Sequence, residues 1–125
     1  MKLSTKVLLA LIVLSAGFFY LKGGGVSGAA IAEHSAFAQC VTDSGAKMYG
    51  AYWCPHCNEQ KRMFGASWDI INYVECSLPN RAGQTEACKI AGIQSYPTWE
   101  FGDGERVSGT QTLAQLSEKT GCSLG

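Results

Sequence analysis

The feature that most constrains this chain is Cys54-Pro55-His56-Cys57, set directly after the apolar, aromatic run 46–53. Two thiols three positions apart can be bridged only in a tight turn or in the first turn of a helix. Pro55 suits that first turn, because its missing N–H is one that a helix start leaves unpaired anyway. The local order predicted is therefore strand, Trp53, helix N-terminus. Cys54 would then face unpaired backbone N–H groups and the positive end of the helix dipole, which stabilise a thiolate. Cys54 becomes the attacking sulfur and Cys57, one turn further on, the resolving one.

Cys-x-x-Cys spacing also occurs in zinc sites, at haem attachment sites and in inert bridges. Zinc needs four ligands; a second such pair is absent, and the other histidine is the single His34. Covalent haem attachment needs a histidine directly after the second cysteine, where Asn58 stands. A purely structural bridge across so short a loop would restrict the unfolded chain little. Redox chemistry without metal or organic cofactor is the favoured reading. His56, between the thiols, adds to it: an imidazole beside the Cys54 sulfur would favour thiolate and hence the reduced pair, making the couple more oxidising than thioredoxin.

Six cysteines in 125 residues point to an oxidising compartment. Residues 7–21 are uncharged and apolar, flanked by Lys2, Lys6 and Lys22. A helix of that length spans roughly 22 Å, short of a hydrocarbon core of roughly 30 Å. Residues 1–22 therefore read as a signal anchor or a cleaved signal peptide. The anchor is favoured, since Ala30-Ile31-Ala32, the best small-x-small match, lies well beyond the apolar run. Either way the domain is exported, as a single-pass membrane protein with its domain on the extracytoplasmic side or as a secreted, periplasmic or luminal protein. The glycine-rich stretch 23–29 reads as a flexible linker and 30–125 as the domain. Beyond residue 22 there are seven basic against ten acidic residues, a net of −3, with no basic stripe for nucleic acid.

Along the domain, apolar periodicity and breakers predict a helix over 29–43, a buried strand over 46–53 and a helix over 55–64 closed by Gly65. A second strand follows over 70–76, a turn at 77–80 and a short helix over 85–91 stopped by Gly92. Strands at 98–101 and 105–108 flank a hairpin turn at 102–104, and a helix over 112–119 turns Leu113 and Leu116 inward. The fold class is α/β: a central mixed four-stranded sheet flanked by helices, preceded by the N-terminal hydrophobic helix.

With Trp53-Cys54-Pro55-His56-Cys57 after a strand, and Ser95-Tyr96-Pro97-Thr98 leading into the hairpin, the chain resembles the thioredoxin superfamily. More narrowly, GAKMYGAYWCPHC, the YVEC strand end, Gly92-Ile93 and Gly121-Cys122 resemble the thioredoxin-like domain fused to bacterial and plant homologues of vitamin K epoxide reductase. The CPHC motif is also that of DsbA-like exported thiol oxidases. The resemblance implies a cis Pro97 beside the reactive pair, a Tyr96 backbone that pairs with an extended substrate segment, and Trp53 packed at the site. Many thioredoxins carry a buried acid six positions before the first cysteine; here that position is Met48, so no proton-transfer group can be assigned to it.

The remaining four cysteines permit three pairings. Cys76 and Cys88 flank a short strand-to-helix turn and are favoured as a bridge, in agreement with the resemblance. Cys40 and Cys122 would then tie the first helix to the chain end, the alternative being that one of them stays free. The expected activity is thiol–disulfide exchange with protein substrates, most simply as an oxidase in disulfide formation. By resemblance, a membrane oxidoreductase similar to vitamin K epoxide reductase homologues would re-oxidise it. A reductase or isomerase fed by a membrane donor is the second expectation, and a disulfide-stapled binding module the third.

Overall fold

The computed structural model describes the backbone of residues 25–125, with side chains from residue 34 onward. The apolar stretch 7–21 and its anchoring role lie outside the described residues; among those described, no helix is long and apolar enough to cross a membrane. The chain divides into two compact units, Met1–Ala30 and Ile31–Gly125.

The second unit is built on a four-stranded mixed sheet in the order β2-β1-β3-β4. Strand β1 (Lys47–Gly50) runs parallel to β2 (Tyr73–Glu75), with Met48 opposite Tyr73, and antiparallel to β3 (Thr98–Glu100), with Met48 opposite Trp99. Strand β4 (Arg106–Ser108) closes the far edge, antiparallel to β3. The helices are α1 (Gly25–Asp43), α2 (Pro55–Phe64), α3 (Glu86–Ala91) and α4 (Leu113–Thr120), with short 3-10 turns at Gly65–Ile70 and Pro79–Arg81. This arrangement, a mixed four-stranded sheet with helices, is consistent with a thioredoxin-like α/β fold.

One face of the sheet carries the main core. Phe37, Ala38 and Val41 of α1, Phe64 of α2, Met48, Trp99, Phe101 and Leu116 pack there in full burial. The aromatic members interlock: Phe37 stacks on Phe64, and Trp99 on Phe101. A smaller cluster of Tyr49, Cys76, Cys88 and Ile93 fills the space beneath α3. Two disulfides staple these clusters. Cys40 of α1 bonds Cys122 at the chain end, with an S–S distance of 2.09 Å, and Cys76 bonds Cys88 of α3 at 1.98 Å.

Several elements differ in extent from the sequence expectation. Helix α1 begins at Gly25, inside the glycine-rich stretch read as a linker. Strand β1 stops at Gly50 because the chain must turn to present the cysteines, and Cys54 N–H donates to Ala51 O at 3.0 Å. The second strand is shorter than 70–76: Gly65, at φ 55°, redirects the chain into a 3-10 turn that packs Trp68 on Phe64 and Tyr73. Helix α4 starts from a Thr112–Gln115 capping box that the apolar spacing did not reveal.

Candidate active site

Strand β1 delivers the chain to the reactive pair. Cys54 is the N-cap of α2 with extended backbone, and Pro55 takes the first helical position. Both cysteines are unbonded and buried, so this is the dithiol form. Cys57 is completely enclosed, whereas Cys54 keeps 7 % of its surface. That difference fits one thiol that meets a substrate and one that does not.

Close approach of β1 makes the enclosure. A Cβ on Gly50 would lie 2.9 Å from Cys57 Sγ, 3.0 Å from Tyr73 Cε2 and 3.3 Å from Met48 Cε, so any side chain there would displace the sulfur. Burial pushes the Cys57 thiol up to about 12; the Ala51 backbone and Lys61 oppose that rise, while the Cys54 thiol adds to it. The Tyr73 hydroxyl is also driven upward, first by burial and then by its 2.5 Å hydrogen bond to Glu75 Oε2. Glu75 Oε1 accepts in turn from the backbone N–H groups of Tyr52 (3.1 Å) and Ser77 (3.0 Å), so with Tyr73 on Oε2 both of its oxygens are engaged.

On the exposed side of Cys54, the Tyr96–Pro97 peptide bond is cis, and Cys54 Sγ donates to Tyr96 O at 3.6 Å. Tyr96, Pro97 and Cys54 are thus brought together. Trp53 lies edge-on to the Tyr96 ring at 6.1 Å and donates from Nε1 to Ser77 Oγ at 2.8 Å. The Arg81 guanidinium covers the Trp53 ring at 4.9 Å, and Gln84 Nε2 donates to the Tyr96 hydroxyl at 2.9 Å. The segment from Ser77 to Gln84, closed by a bridge between those two residues and by the Cys76–Cys88 disulfide, therefore braces both aromatic walls of the site.

His56 stands apart from this cluster. Its side chain is 72 % exposed, with Nδ1 3.7 Å from Glu59 Oε2, one turn along the helix. Met48 is buried in the main core. Cys76, Cys88, Cys40 and Cys122 are all bonded away from the reactive pair. Among the described residues no three His, Cys, Asp or Glu side chains gather in a way that would hold a metal ion.

Sequence reasoning missed Tyr73, Glu75, Ser77, Arg81 and Gln84 as parts of this site, and gave Lys61 no place in it. The i, i+4 spacing of Cys57 and Lys61 was the one available signal; the others act across strands or loops that spacing cannot connect.

No family model matches the chain. The chain is 46% identical over 93 residues to Thiol-disulfide oxidoreductase LTO1 of Arabidopsis thaliana, an alignment covering 71% of this chain and 24% of that protein. It therefore spans about a quarter of that relative's length. Among solved structures, oxidized glutaredoxin 2 from Chlamydomonas reinhardtii superposes with a TM-score of 0.40 at 23% identity, over 75% of this chain and 95% of that one. The sheet order, with the cis proline beside Cys54, is consistent with a thioredoxin-like α/β fold for residues 31–125.

Proposed function

We propose that this protein is a thiol–disulfide oxidoreductase acting on protein thiols through Cys54 and Cys57, most simply as an oxidase. The observation that carries the reading is the asymmetry of the pair: Cys54 borders the Tyr96 carbonyl with some surface open, while Cys57 is sealed beneath it. The relative's printed activity points the same way.

In the oxidase direction a substrate thiolate attacks Cys54 Sγ of the oxidised pair. The Cys54–Cys57 bond breaks, its electron pair leaves on Cys57, and Cys57 takes up a proton. A second substrate thiolate then attacks the substrate sulfur of the mixed disulfide and releases Cys54 as a thiolate. The substrate has lost two electrons and the pair has gained them, so an acceptor must re-oxidise the pair. A membrane oxidoreductase resembling the vitamin K epoxide reductase homologues suits that role. Tethering through residues 1–22, with the domain on the extracytoplasmic side, would hold the pair beside it. Tyr96 would align an extended substrate strand across Cys54, its backbone supplying the hydrogen bonds.

One observation favours the opposite direction of flow. His56 lies toward Glu59 and is largely solvated, a placement that favours Glu59 rather than a Cys54 thiolate as the partner of its imidazole. The equilibrium reduction potential against glutathione decides: a value near roughly −120 mV supports the oxidase, and one near roughly −270 mV supports a reductase or isomerase. In parallel, Cys57→Ser is expected to accumulate a mixed disulfide with test proteins that carry a disulfide, since its Cys54 thiolate attacks that bond, one substrate sulfur leaves as a thiolate, and no resolving thiol follows; Cys54→Ser should accumulate none. Failure of Cys57→Ser to trap any substrate would refute exchange through Cys54.

A further inference from the structure

The proposed exchange requires Cys57 to leave, and to attack, as a thiolate, inside a pocket that strongly disfavours negative charge. Among the described residues, the cation that acts on it is Lys61. Lys61 follows Cys57 at the i, i+4 spacing, so both side chains lie on one face of α2. The Lys61 ammonium sits 4.3 Å from the centre of the Tyr73 ring and 5.9 Å from that of Trp68, in an aromatic corner where those two rings meet edge to face at 5.6 Å. Tyr73 is also the ring that borders Cys57, since its Cε2 and Cys57 Sγ flank the same point above Gly50.

The titratable groups facing Cys57 are Cys54 and Lys61 from α2 and Tyr73 from β2, with Glu75 behind Tyr73. Glu75 is committed to three donors, the Tyr73 hydroxyl and two backbone N–H groups, and Tyr73 donates its own proton to it. β1 contributes Met48 and Gly50, which carry no charge. Lys61 is therefore the group able to offset a thiolate on Cys57.

We infer that Lys61, held by the Tyr73 and Trp68 rings, is a fixed counter-charge for the Cys57 thiolate that forms when the Cys54–Cys57 bond opens. The inference rests on the exchange reading above. It acts on the transition state: as the S–S electron pair moves onto Cys57, the ammonium stabilises it, and a proton from solvent then neutralises the thiol. In both stable states, disulfide and protonated dithiol, Cys57 is uncharged, so Lys61 changes rates in both directions and leaves the equilibrium where it was.

The test uses the full chain in its oxidised form, with dithiothreitol attacking the Cys54–Cys57 bond and tryptophan fluorescence reporting opening. Lys61→Met keeps the aliphatic stem over Tyr73 but removes the charge, and is expected to slow opening about tenfold at neutral pH. Lys61→Arg should restore most of the rate, and the glutathione-equilibrated potential should match wild type in both variants. A wild-type rate in Lys61→Met, a Lys61→Arg variant as slow as Lys61→Met, or a potential that moves with the rate would each overturn the inference. Dithiothreitol needs no protein substrate, so these outcomes are read separately from the Cys57→Ser trapping test of the function itself.

Discussion

Replacing Gln60 by leucine tests whether the helix that carries the reactive pair is fastened by a buried amide. Gln60 has no exposed surface and uses both ends of its side chain. Its Oε1 accepts from Trp99 Nε1 at 3.1 Å and from the Gln111 backbone N–H at 2.8 Å, while its Nε2 donates to Gln111 O at 2.9 Å. Leucine is close in volume, so the cavity cost is small and the loss is that of orphaned polar groups. Three groups lose their partners: the Trp99 indole N–H in the core, and both backbone groups of Gln111. At about 1–3 kcal/mol for each buried unsatisfied group, partly relieved where Gln111 can turn to solvent and by the added apolar contact, the net loss is about 3–5 kcal/mol. Against a domain stability of about 5–15 kcal/mol, that lowers the melting temperature by well over about 10 °C. Urea unfolding of the oxidised protein, followed by fluorescence, measures it. Gln39→Ala provides the control, since Gln39 bonds Asp43 at the surface and its loss should stay within about 0.5 kcal/mol. A Gln60→Leu loss below about 1 kcal/mol would refute the claim that this amide fastens α2 to the 109–112 segment.

Three further outcomes follow from the same structure. Removing the Cys40–Cys122 bridge by double alanine substitution frees a loop with a sequence separation of 82, worth about 4.5 kcal/mol by chain entropy, whereas the Cys76–Cys88 bridge, at separation 12, is worth about 3 kcal/mol. Paired urea titrations should therefore rank the first loss above the second, and the reverse order would contradict the entropic account. The Glu100 carboxyl is lowered, since hydrogen bonds from Arg106 and Lys47 outweigh the opposing effect of burial. Its stabilising contribution is present above the ordinary carboxylate range and disappears as pH falls through the depressed value. Melting curves across acid pH should show that loss in wild type and a shallower one in Glu100→Gln. Cys57 carries the opposite sign. Its folded value is raised from 9.0 to about 12 by burial, so the reduced domain should lose stability as pH rises from 9.0 towards 12, where the unfolded thiol ionises and the folded one stays protonated. The reduced Cys57→Ala variant should be flatter over that window.

What could be read in the sequence is what acts locally. The cysteine spacing with Pro55 requires a helix start, and α2 begins at Pro55 after a strand that ends at Gly50. The alternation at 98–101 and the glycines around Asp103 give the β3–β4 hairpin. Elements blurred where tertiary contact overrides local preference: Ile70 belongs to a 3-10 turn because Trp68 is wanted beside Phe64 and Tyr73. The site divides in the same way. Cys54 and Cys57 announce themselves, but Tyr73, Glu75, Ser77, Arg81 and Gln84 arrive from 16 or more residues away in sequence, Tyr73 across the parallel register that sets it opposite Met48. In that register the residue missing from the motif, an acid at Met48, and the residues standing near it, Tyr73 with Lys61 over its ring, belong to one neighbourhood. A sequence pattern records the absence of the acid but not its neighbours. The same topology explains why Gly50 is needed: with Cys57, Tyr73 and Met48 all pressing on its open face, a methyl group there would push the resolving sulfur out of line with Cys54. The short strand β1 thus does two jobs that composition alone would assign to different parts of the chain: it presents the cysteines, and it leaves the gap into which the buried one fits.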